Sequence, residues 1–247
     1  MNKLRARKWR LLPLLGALSF GCDPPGRPNP ADRPVPADEV KDFGTLYARH
    51  CAGCHGAAGK LGPAPPLNDP IFLAIVPDAE LLRVISEGRV VAPGQKTPMP
   101  AFASAKGGPL TEAQVEVLAG GIKKRWGGAA PEEKPPPYLA PKEVGDTKRG
   151  AKLFDLACAA CHGDDGRGGE RAGAVNDRAF LALISNQELR RVVITGRRDL
   201  GMPDYSDDNW RSPKFKPLSS EQINDLVALL ACWRQGGSAD DKGGTEQ

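Results

Sequence analysis

The chain has 247 residues, 40% of them hydrophobic and 26% charged, and a formal net charge of +4 at pH 7. Its length allows one large domain or two of about 100 residues. No stretch is apolar for the roughly 18 residues that a membrane-spanning helix needs, which excludes a protein built from membrane spans.

Residues 1–22 are typical of an exported protein. Five basic residues precede a short apolar run from Leu11 to Phe20, as in a signal peptide. The following "LSFGC" resembles the lipobox of bacterial lipoproteins, in which the cysteine, here Cys22, becomes the lipidated first residue. Ser19 stands where the lipobox usually has Leu, so a simple signal peptide is the alternative. Loss of residues 1–21 removes five of 34 basic residues and no acidic ones, leaving 29 against 30. The resulting net charge of −1 gives no indication of nucleic-acid binding.

The rest of the chain contains one unit twice. Residues 71–89 align with residues 179–197 at an offset of 108 without a gap, and "PLTEAQVEVL" aligns with "PLSSEQINDL" at the same offset. We predict domain 1 over residues 41–127 and domain 2 over residues 146–236. The remaining segments are a Pro-rich tether over 22–40, a Pro-rich linker over 128–145 and a disordered tail over 237–247.

Each unit is predicted to be helical. Thr111 with Gln114, and Ser219 with Gln222, are capping-box pairs that start a final helix, and apolar residues follow them at helical spacing. No segment alternates as a strand does. Because a domain of about 90 residues rich in Gly and Pro buries little apolar surface, we expect a large flat apolar cofactor to complete each core.

Both units carry a Cys-x-x-Cys-His motif, formed by Cys51, Cys54 and His55 in domain 1 and by Cys158, Cys161 and His162 in domain 2. Haem c is attached at this spacing, because two thiols add to the vinyl groups and the adjacent His binds the iron. Zinc, a thioredoxin-like redox pair and disulfides are the alternatives. The cysteine pairs are 103 residues apart, against about 15–20 in zinc sites, and no βαβ pattern is present. Disulfides explain neither the histidine nor its repetition, so we predict two covalent haem c groups.

With these motifs, each unit resembles a class I cytochrome c domain over nearly its whole length. Tyr47 and Phe154, four residues before the first motif cysteine, match the family's first helix, and the helix after each Pro-Leu matches its last. The resemblance implies an all-α fold of two tandem domains, each a few helices wrapped around a haem. Gly150 stands at the family's customary place before the second motif, but domain 1 has Phe43 there. We therefore expect an adjusted helix crossing in domain 1.

Met99 and Met202 are predicted to be the sixth iron ligands. The chain has three His, two of them in the motifs, and His50 abuts Cys51 on the attachment side. Met1 leaves with the signal, and the two remaining Met residues each precede a proline in the loop where the family has its distal Met. Loop packing is the alternative. Ligation by His and Met raises the reduction potential of a haem and leaves no open site on the iron.

Three further features are expected to differ from the family or between the copies. The resemblance implies that the carbonyl of Pro63 accepts a hydrogen bond from His55; the second copy has no Pro there, so His162 needs another acceptor and the haems should differ in potential. "SDDNWRSPKFKP" after Met202 is a solvated surface loop or a docking loop. Cys232 is expected to be a buried apolar residue of the last helix, with a dimer disulfide as the alternative.

The expected function is electron transfer without catalysis. We expect the protein to carry electrons between a quinol-oxidising complex or dehydrogenase and a terminal acceptor such as an oxidase, on the periplasmic face of a bacterial membrane. Its partners would be redox proteins of a respiratory chain and the membrane itself, through a lipid anchor, with no nucleic acid and no small-molecule substrate. The alternatives are a fixed subunit of a respiratory complex and, from a different class, a dihaem peroxidase with one open haem site.

Overall fold

A computed structural model describes residues 29, 33–89, 99–128, 131 and 134–238. Residues 37–247 form one compact unit that contains both repeats. The helices of the described ranges are α1 Phe43–His50, α2 Ala52–His55, α3 Pro70–Ile75, α4 Asp78–Glu87, α5 Glu112–Trp126, α6 Thr147–Ala157, α7 Ala159–His162, α8 Arg178–Leu181, α9 Asn186–Thr195 and α10 Ser220–Arg234. Across the same ranges there are two isolated β-bridges and no strand, which confirms the all-α prediction. No helix in these ranges reaches the length and apolarity that a membrane crossing requires.

The same side-chain caps start corresponding helices in the two domains. Asp42 before α1 and Asp146 before α6 each accept a hydrogen bond of 2.7 Å from the backbone amide three residues later. Both predicted capping boxes are formed, at Thr111 for α5 and at Ser219 for α10. Each domain therefore has a first helix, a one-turn motif helix, two middle helices and a long last helix in the same order.

Each domain has its own hydrophobic core, and the two cores share residues across a common border. The first core is built mainly from α1, α3, α4 and α5, and it also contains Tyr138, which is only 2% exposed. The second core is built mainly from α6, α9 and α10, and it takes in Ile71 from α3 of domain 1. Tyr138 belongs to the segment predicted as a linker, which is therefore partly packed into domain 1.

Domain 2 holds the same segment from the other side through Arg190, a residue of α9 that is 1% exposed. Its guanidinium donates hydrogen bonds to the carbonyl of Pro137 at 2.8 Å and to the hydroxyl of Ser220 at 2.8 Å. The amide side chain of Gln187 donates to the carbonyl of Tyr138 at 2.7 Å. Pro137 and Tyr138 of the predicted linker are thus held by both domains.

The first and last helices cross differently in the two domains. In domain 2, a Cβ added to Gly150 would lie 2.3 Å from the carbonyl oxygen of Asp225, so α6 and α10 touch backbone to backbone. In domain 1, Phe43 takes the position of Gly150, and Gly121 takes the position of Leu229. A Cβ at Gly121 would lie 2.2 Å from the ring of Phe43. The adjustment expected at Phe43 is therefore made on the opposite helix, where a glycine leaves room for the ring.

Candidate functional site

The two Cys-x-x-Cys-His motifs fold in the same way. Each occupies one turn of helix, α2 or α7, that follows the first helix after a break at Cys51 or Cys158, whose φ values are −120° and −127°. The carbonyl of that cysteine accepts from the amide of the motif histidine, at 2.9 Å for His55 and 3.0 Å for His162. This single turn keeps the two cysteines and the histidine of each motif together, as attachment to one haem requires.

A backbone carbonyl orients each motif histidine. Nδ1 of His55 lies 2.9 Å from the carbonyl oxygen of Pro65, and Nδ1 of His162 lies 3.0 Å from that of Gly173. Since a carbonyl oxygen only accepts, Nδ1 carries the proton and Nε2 keeps its lone pair for a metal. The acceptor is Pro65 and not Pro63, because the backbone after α2 brings the carbonyl two residues further along to Nδ1. His162 finds another acceptor, as predicted, and Gly173 aligns with Pro65 at the offset of 108.

The first cysteine of each motif lies in apolar surroundings. Burial raises the pKa of the Cys51 thiol to about 11 and that of the Cys158 thiol to about 12. Cys51 packs against the first core and Cys158 against the second. Both thiols therefore stay protonated at neutral pH.

Met99 and Met202 are held by equivalent backbone contacts, although the chain between anchor and methionine differs in length. In domain 1 the amide of Arg89 donates to the carbonyl of Met99 at 3.0 Å, and in domain 2 the amide of Arg197 donates to that of Met202 at 3.1 Å. Each arginine follows a glycine with positive φ, Gly88 at 74° and Gly196 at 66°, a conformation that suits glycine. A Cβ at either glycine would also lie within 2.5 Å of the methionine carbonyl.

The Met99 contact closes an interval of 11 residues and the Met202 contact one of six. The structure therefore returns both methionines to the same place relative to the helix before them. Their role as iron ligands stays a prediction.

Three charged side chains lie around His55, and two of them belong to domain 2. Burial lowers the pKa of His55, and the hydrogen bond to Pro65 opposes that shift. The positive charge of Arg191 lowers the pKa further, Glu188 raises it and Arg89 lowers it. The low pKa favours the neutral imidazole, which is the form that binds iron.

Three features noted in the sequence take the following places. His50 packs edge-on against Phe102, with ring centroids 6.2 Å apart. The loop after Met202 folds back on domain 2 through Arg211, which donates to the carbonyl of Ala157 at 3.2 Å, while Trp210 is 62% exposed. Cys232 is half-buried and its thiol donates to the carbonyl of Ser238 at 3.2 Å. The expectation of a buried cysteine was wrong, because Cys232 is only partly covered at its place on α10.

The residues of both motifs fit haem c. Each domain offers two thiols on one helical turn, an imidazole whose Nε2 is left available and a methionine in an equivalent anchored loop. Haem c supplies a one-electron iron centre that keeps its ligands. Cys22, the predicted lipidation site, lies outside the described residues.

Comparison with known proteins finds the same family in both domains. The family model described as "Cytochrome C oxidase, cbb3-type, subunit III" matches residues 38–119 and 145–230. A cbb3-type cytochrome c oxidase subunit FixP of Azorhizobium caulinodans is 30% identical over 186 residues, which are 74% of this chain and 57% of the relative. A cytochrome bc1 complex cytochrome c subunit of Mycobacterium bovis is 26% identical over 190 residues, 75% of this chain and 60% of the relative. The chain thus spans less than two thirds of the length of these relatives.

A solved structure, the thiosulfate dehydrogenase TsdBA of Marichromatium purpuratum, matches 82% of this chain and 48% of its own at 18% identity. The TM-score is 0.25, which is too low to support an inference.

Proposed function

Since the chain belongs to the family of cbb3-type cytochrome c oxidase subunit III and is a dihaem class I c-type cytochrome, we propose that it transfers electrons at the periplasmic surface of a bacterial membrane. The donor is a quinol-oxidising complex or a dehydrogenase, and the acceptor is a terminal one such as an oxidase. The observation that carries the proposal is the repeated site, in which a motif histidine fixed through Nδ1 and an anchored methionine occur in both domains.

In this proposal each side chain has a defined role. The cysteines Cys51, Cys54, Cys158 and Cys161 hold the two haems covalently. His55 and Met99 bind the iron in domain 1, and His162 and Met202 bind it in domain 2. Two protein ligands on each iron leave no position for a substrate, so the protein carries electrons and does not act as a peroxidase. The equivalent anchoring of both methionines supports this closed state in both domains.

A second candidate is a fixed subunit of a respiratory complex instead of a mobile carrier. The names of the relatives favour it, because each describes a subunit, one of a cbb3-type oxidase and one of a bc1 complex. Copurification distinguishes the two. A stoichiometric partner that survives detergent and high salt supports the fixed subunit, and release of the protein alone supports the carrier.

The proposed anchor is a lipid on Cys22, with residues 22–40 as the tether. A single acyl chain gives only marginal membrane binding, whereas several chains hold a protein stably. The anchored protein would search for its partners only along the membrane surface.

Expression of the full chain in a host that matures c-type cytochromes tests the haem sites. We expect two covalent haems per chain, both low-spin, with a far-red band from Met-to-iron ligation. The paired variants C51A/C54A and C158A/C161A should each retain one haem, and M99A and M202A should each lose about half of the far-red band.

The matched pairs serve as controls for one another, since each leaves the other domain intact. High-spin iron in the oxidised wild-type protein, or a far-red band unchanged in M99A or in M202A, would contradict the proposed ligands. Reduction of both haems by quinol and a membrane fraction, followed by reoxidation through an oxidase, would support the direction of electron flow.

A further inference from the structure

The two repeats place the arginine of the same charged pair in opposite environments. Glu80 and Arg83 of α4 align with Glu188 and Arg191 of α9 at the offset of 108. In domain 1 the Arg83 side chain is 52% exposed, and its Nε lies 2.8 Å from a carboxylate oxygen of the largely buried Glu80. In domain 2 the Arg191 side chain is only 4% exposed. A buried arginine is uncommon, so the second copy has acquired a contact that the first lacks.

Domain 1 buries Arg191. The guanidinium carbon lies 3.6 Å from the centre of the Phe72 ring of α3, and Nη2 donates a hydrogen bond to the carbonyl of Pro66. Glu188, beside Arg191 on α9, pairs at 2.8 Å with Arg89 of domain 1. The cations Arg89 and Arg191 and the anion Glu188 are therefore enclosed at the border, and the buried carboxylate of Asp69 also acts on Arg191.

Electrostatic attraction contributes more to this cluster than hydrogen bonds do, because several of its polar atoms have no hydrogen-bond partner. In the part of the chain that the structure describes, Nε of Arg191 and both carboxylate oxygens of Glu188 are buried without a hydrogen-bond partner of good geometry. Glu188 nevertheless lies within ion-pair distance of both arginines, at 2.8 Å from Arg89 and 3.7 Å from Arg191. A buried charge with few hydrogen bonds acts strongly on its neighbours, because the local dielectric constant is low.

The cluster reaches the first haem site through two consecutive prolines. Arg191 donates a hydrogen bond to the carbonyl of Pro66, and the carbonyl of Pro65 accepts a hydrogen bond from Nδ1 of His55. Because proline fixes its own φ and restricts the residue before it, the chain between the two carbonyls has little freedom besides the ψ angle of Pro66. In domain 2 the carbonyl of Gly173 orients His162. The counterpart of Arg191, Arg83, hydrogen-bonds to Glu80 and Glu87 on its own helix instead.

We propose that Arg191 is a positioning residue of the first haem site, through which domain 2 raises the reduction potential of the haem in domain 1. This role of Arg191 rests on the proposed function, in which His55 binds the iron of that haem. Oxidation leaves one more positive charge on the iron, and a buried guanidinium nearby disfavours that charge. The hydrogen bond from Arg191 to Pro66 also restrains the neighbouring carbonyl of Pro65, which accepts the hydrogen bond from His55. A hydrogen bond of this kind tunes the properties of a metal ligand. Glu188 has the opposite sign and partly offsets the effect.

Potentiometric titration of the full-length holoprotein tests the proposal. The variants are R191Q, which removes the charge, R191K, which keeps the charge but not the planar fork, and E188Q, which removes the anion. R83Q is the matched control at the aligned, exposed position. A Met99→His substitution assigns the two waves, because exchange of a Met ligand for His lowers the potential of that haem alone.

We expect R191Q to lower the ratio of ferrous to ferric haem in domain 1 about threefold at fixed ambient potential. That is about 28 mV, at 59 mV per tenfold change for one electron. E188Q should shift the same wave in the opposite direction, R191K should fall between wild type and R191Q, and R83Q should leave both waves in place.

The opposite signs separate an electrostatic effect from damage to the fold, which would move R191Q and E188Q the same way. An unchanged domain 1 wave in E188Q, or equal shifts of both waves in R191Q, would overturn the proposal. Should R191Q fail to retain haem, the direction of the E188Q shift decides. Failure of the proposed function has a different signature, because the wild-type protein would then lack two low-spin haems with methionine ligation.

Discussion

The two domains place large and small residues on opposite sides of the same helix crossing. Domain 2 has Gly150 on its first helix and Leu229 on its last, whereas domain 1 has Phe43 and Gly121 at these positions. Both pairs fill the crossing, but domain 2 brings backbone against backbone and domain 1 brings a ring against a backbone. In each domain one large residue and one glycine meet at the crossing. The large residue lies on the first helix in domain 1 and on the last helix in domain 2.

A second difference lies on the helix that precedes each methionine loop. α4 of domain 1 exposes Leu82 and Arg83, while α9 of domain 2 buries Arg190 and Arg191 at the same positions. Arg190 holds the linker and Arg191 holds domain 1. At these two positions, domain 2 supplies the arginines that donate hydrogen bonds, and the linker and domain 1 supply the carbonyls that accept them.

Alanine substitutions at the two crossings should give the largest effect. We expect G150A to lower the free energy of unfolding by about 3 kcal/mol, because the new Cβ meets a main-chain oxygen that moves only if α6 and α10 separate. G121A should cost only about 1 kcal/mol, because the obstacle is the ring of Phe43, which can turn. Denaturant unfolding of the holoprotein measures both.

Gly120 provides the control for these substitutions, since a Cβ there meets nothing within 4 Å. G120A should be neutral or stabilising by up to about 1 kcal/mol, through helix propensity alone. Equal losses in G150A and G121A would show that the two crossings do not differ as described.

Exchange of residues between α4 and α9 should give the next largest effect. R190L gives domain 2 the residue of domain 1 and leaves the carbonyls of Pro137 and Ser220 without their donor; we expect a loss of about 2 kcal/mol. The reverse variant L82R places arginine on a half-exposed face and should change stability by less than about 0.5 kcal/mol. Thermal unfolding and the rate of protease cleavage within residues 128–145 measure the two variants.

Similar protease sensitivity in R190L and wild type would argue against Arg190 as the residue that holds the linker. The variant L82R tests whether α4 is more exposed than α9. A large loss of stability in L82R would mean that α4 is buried to the same extent as α9.

The smallest effect should be a pH dependence at the domain border. Asp199 accepts hydrogen bonds from Arg197 at 2.9 Å and from the amide of Leu61 in domain 1 at 3.2 Å. The Arg197 hydrogen bond holds the pKa of Asp199 below its ordinary value. A carboxylate with a lowered folded-state pKa contributes stability above its unfolded-state pKa of about 3.9, and this contribution is lost as the pH falls through the folded-state pKa.

The variant D199N lacks the titrating group. We therefore expect wild type to have the higher Tm at pH 6, and the difference to close as the pH falls below about 4. A difference in Tm that stays constant with pH would exclude Asp199 as its source.

Much of the architecture follows from local patterns in the sequence. The capping boxes at Thr111 and Ser219 start helices because their hydrogen bonds lie within four residues, and the Cys-x-x-Cys-His turns are equally local. Such features are predictable because the interacting groups lie close together in the chain.

The features that escaped prediction all depend on long-range contacts. The local sequence around Arg190 and Arg191 contains no signal of burial, because it is the approach of the linker and of domain 1 that buries them. Tyr138 lies in a segment rich in Pro and charge that contains no local signal of burial. Family resemblance predicts Pro63 as the acceptor for His55, whereas the carbonyl that reaches Nδ1 belongs to Pro65, and this depends on the path of the loop. A residue-by-residue comparison of the repeats identifies the positions that differ in size or charge. Leu82 is replaced by Arg190, and the pair Phe43 and Gly121 is replaced by Gly150 and Leu229.

The exchange of sizes at the helix crossing also bears on how the two halves of the gene diverge. A recombination event that copied the first helix of one half into the other would set Phe43 against Leu229, two large side chains in a space that holds one. The reverse event would set Gly150 against Gly121 and leave a hole where a side chain belongs. Both products would be less stable than the parent, so selection would remove them. The crossing thus acts as a barrier to homogenisation of the repeats, and it lets the two haem environments evolve separately within one chain.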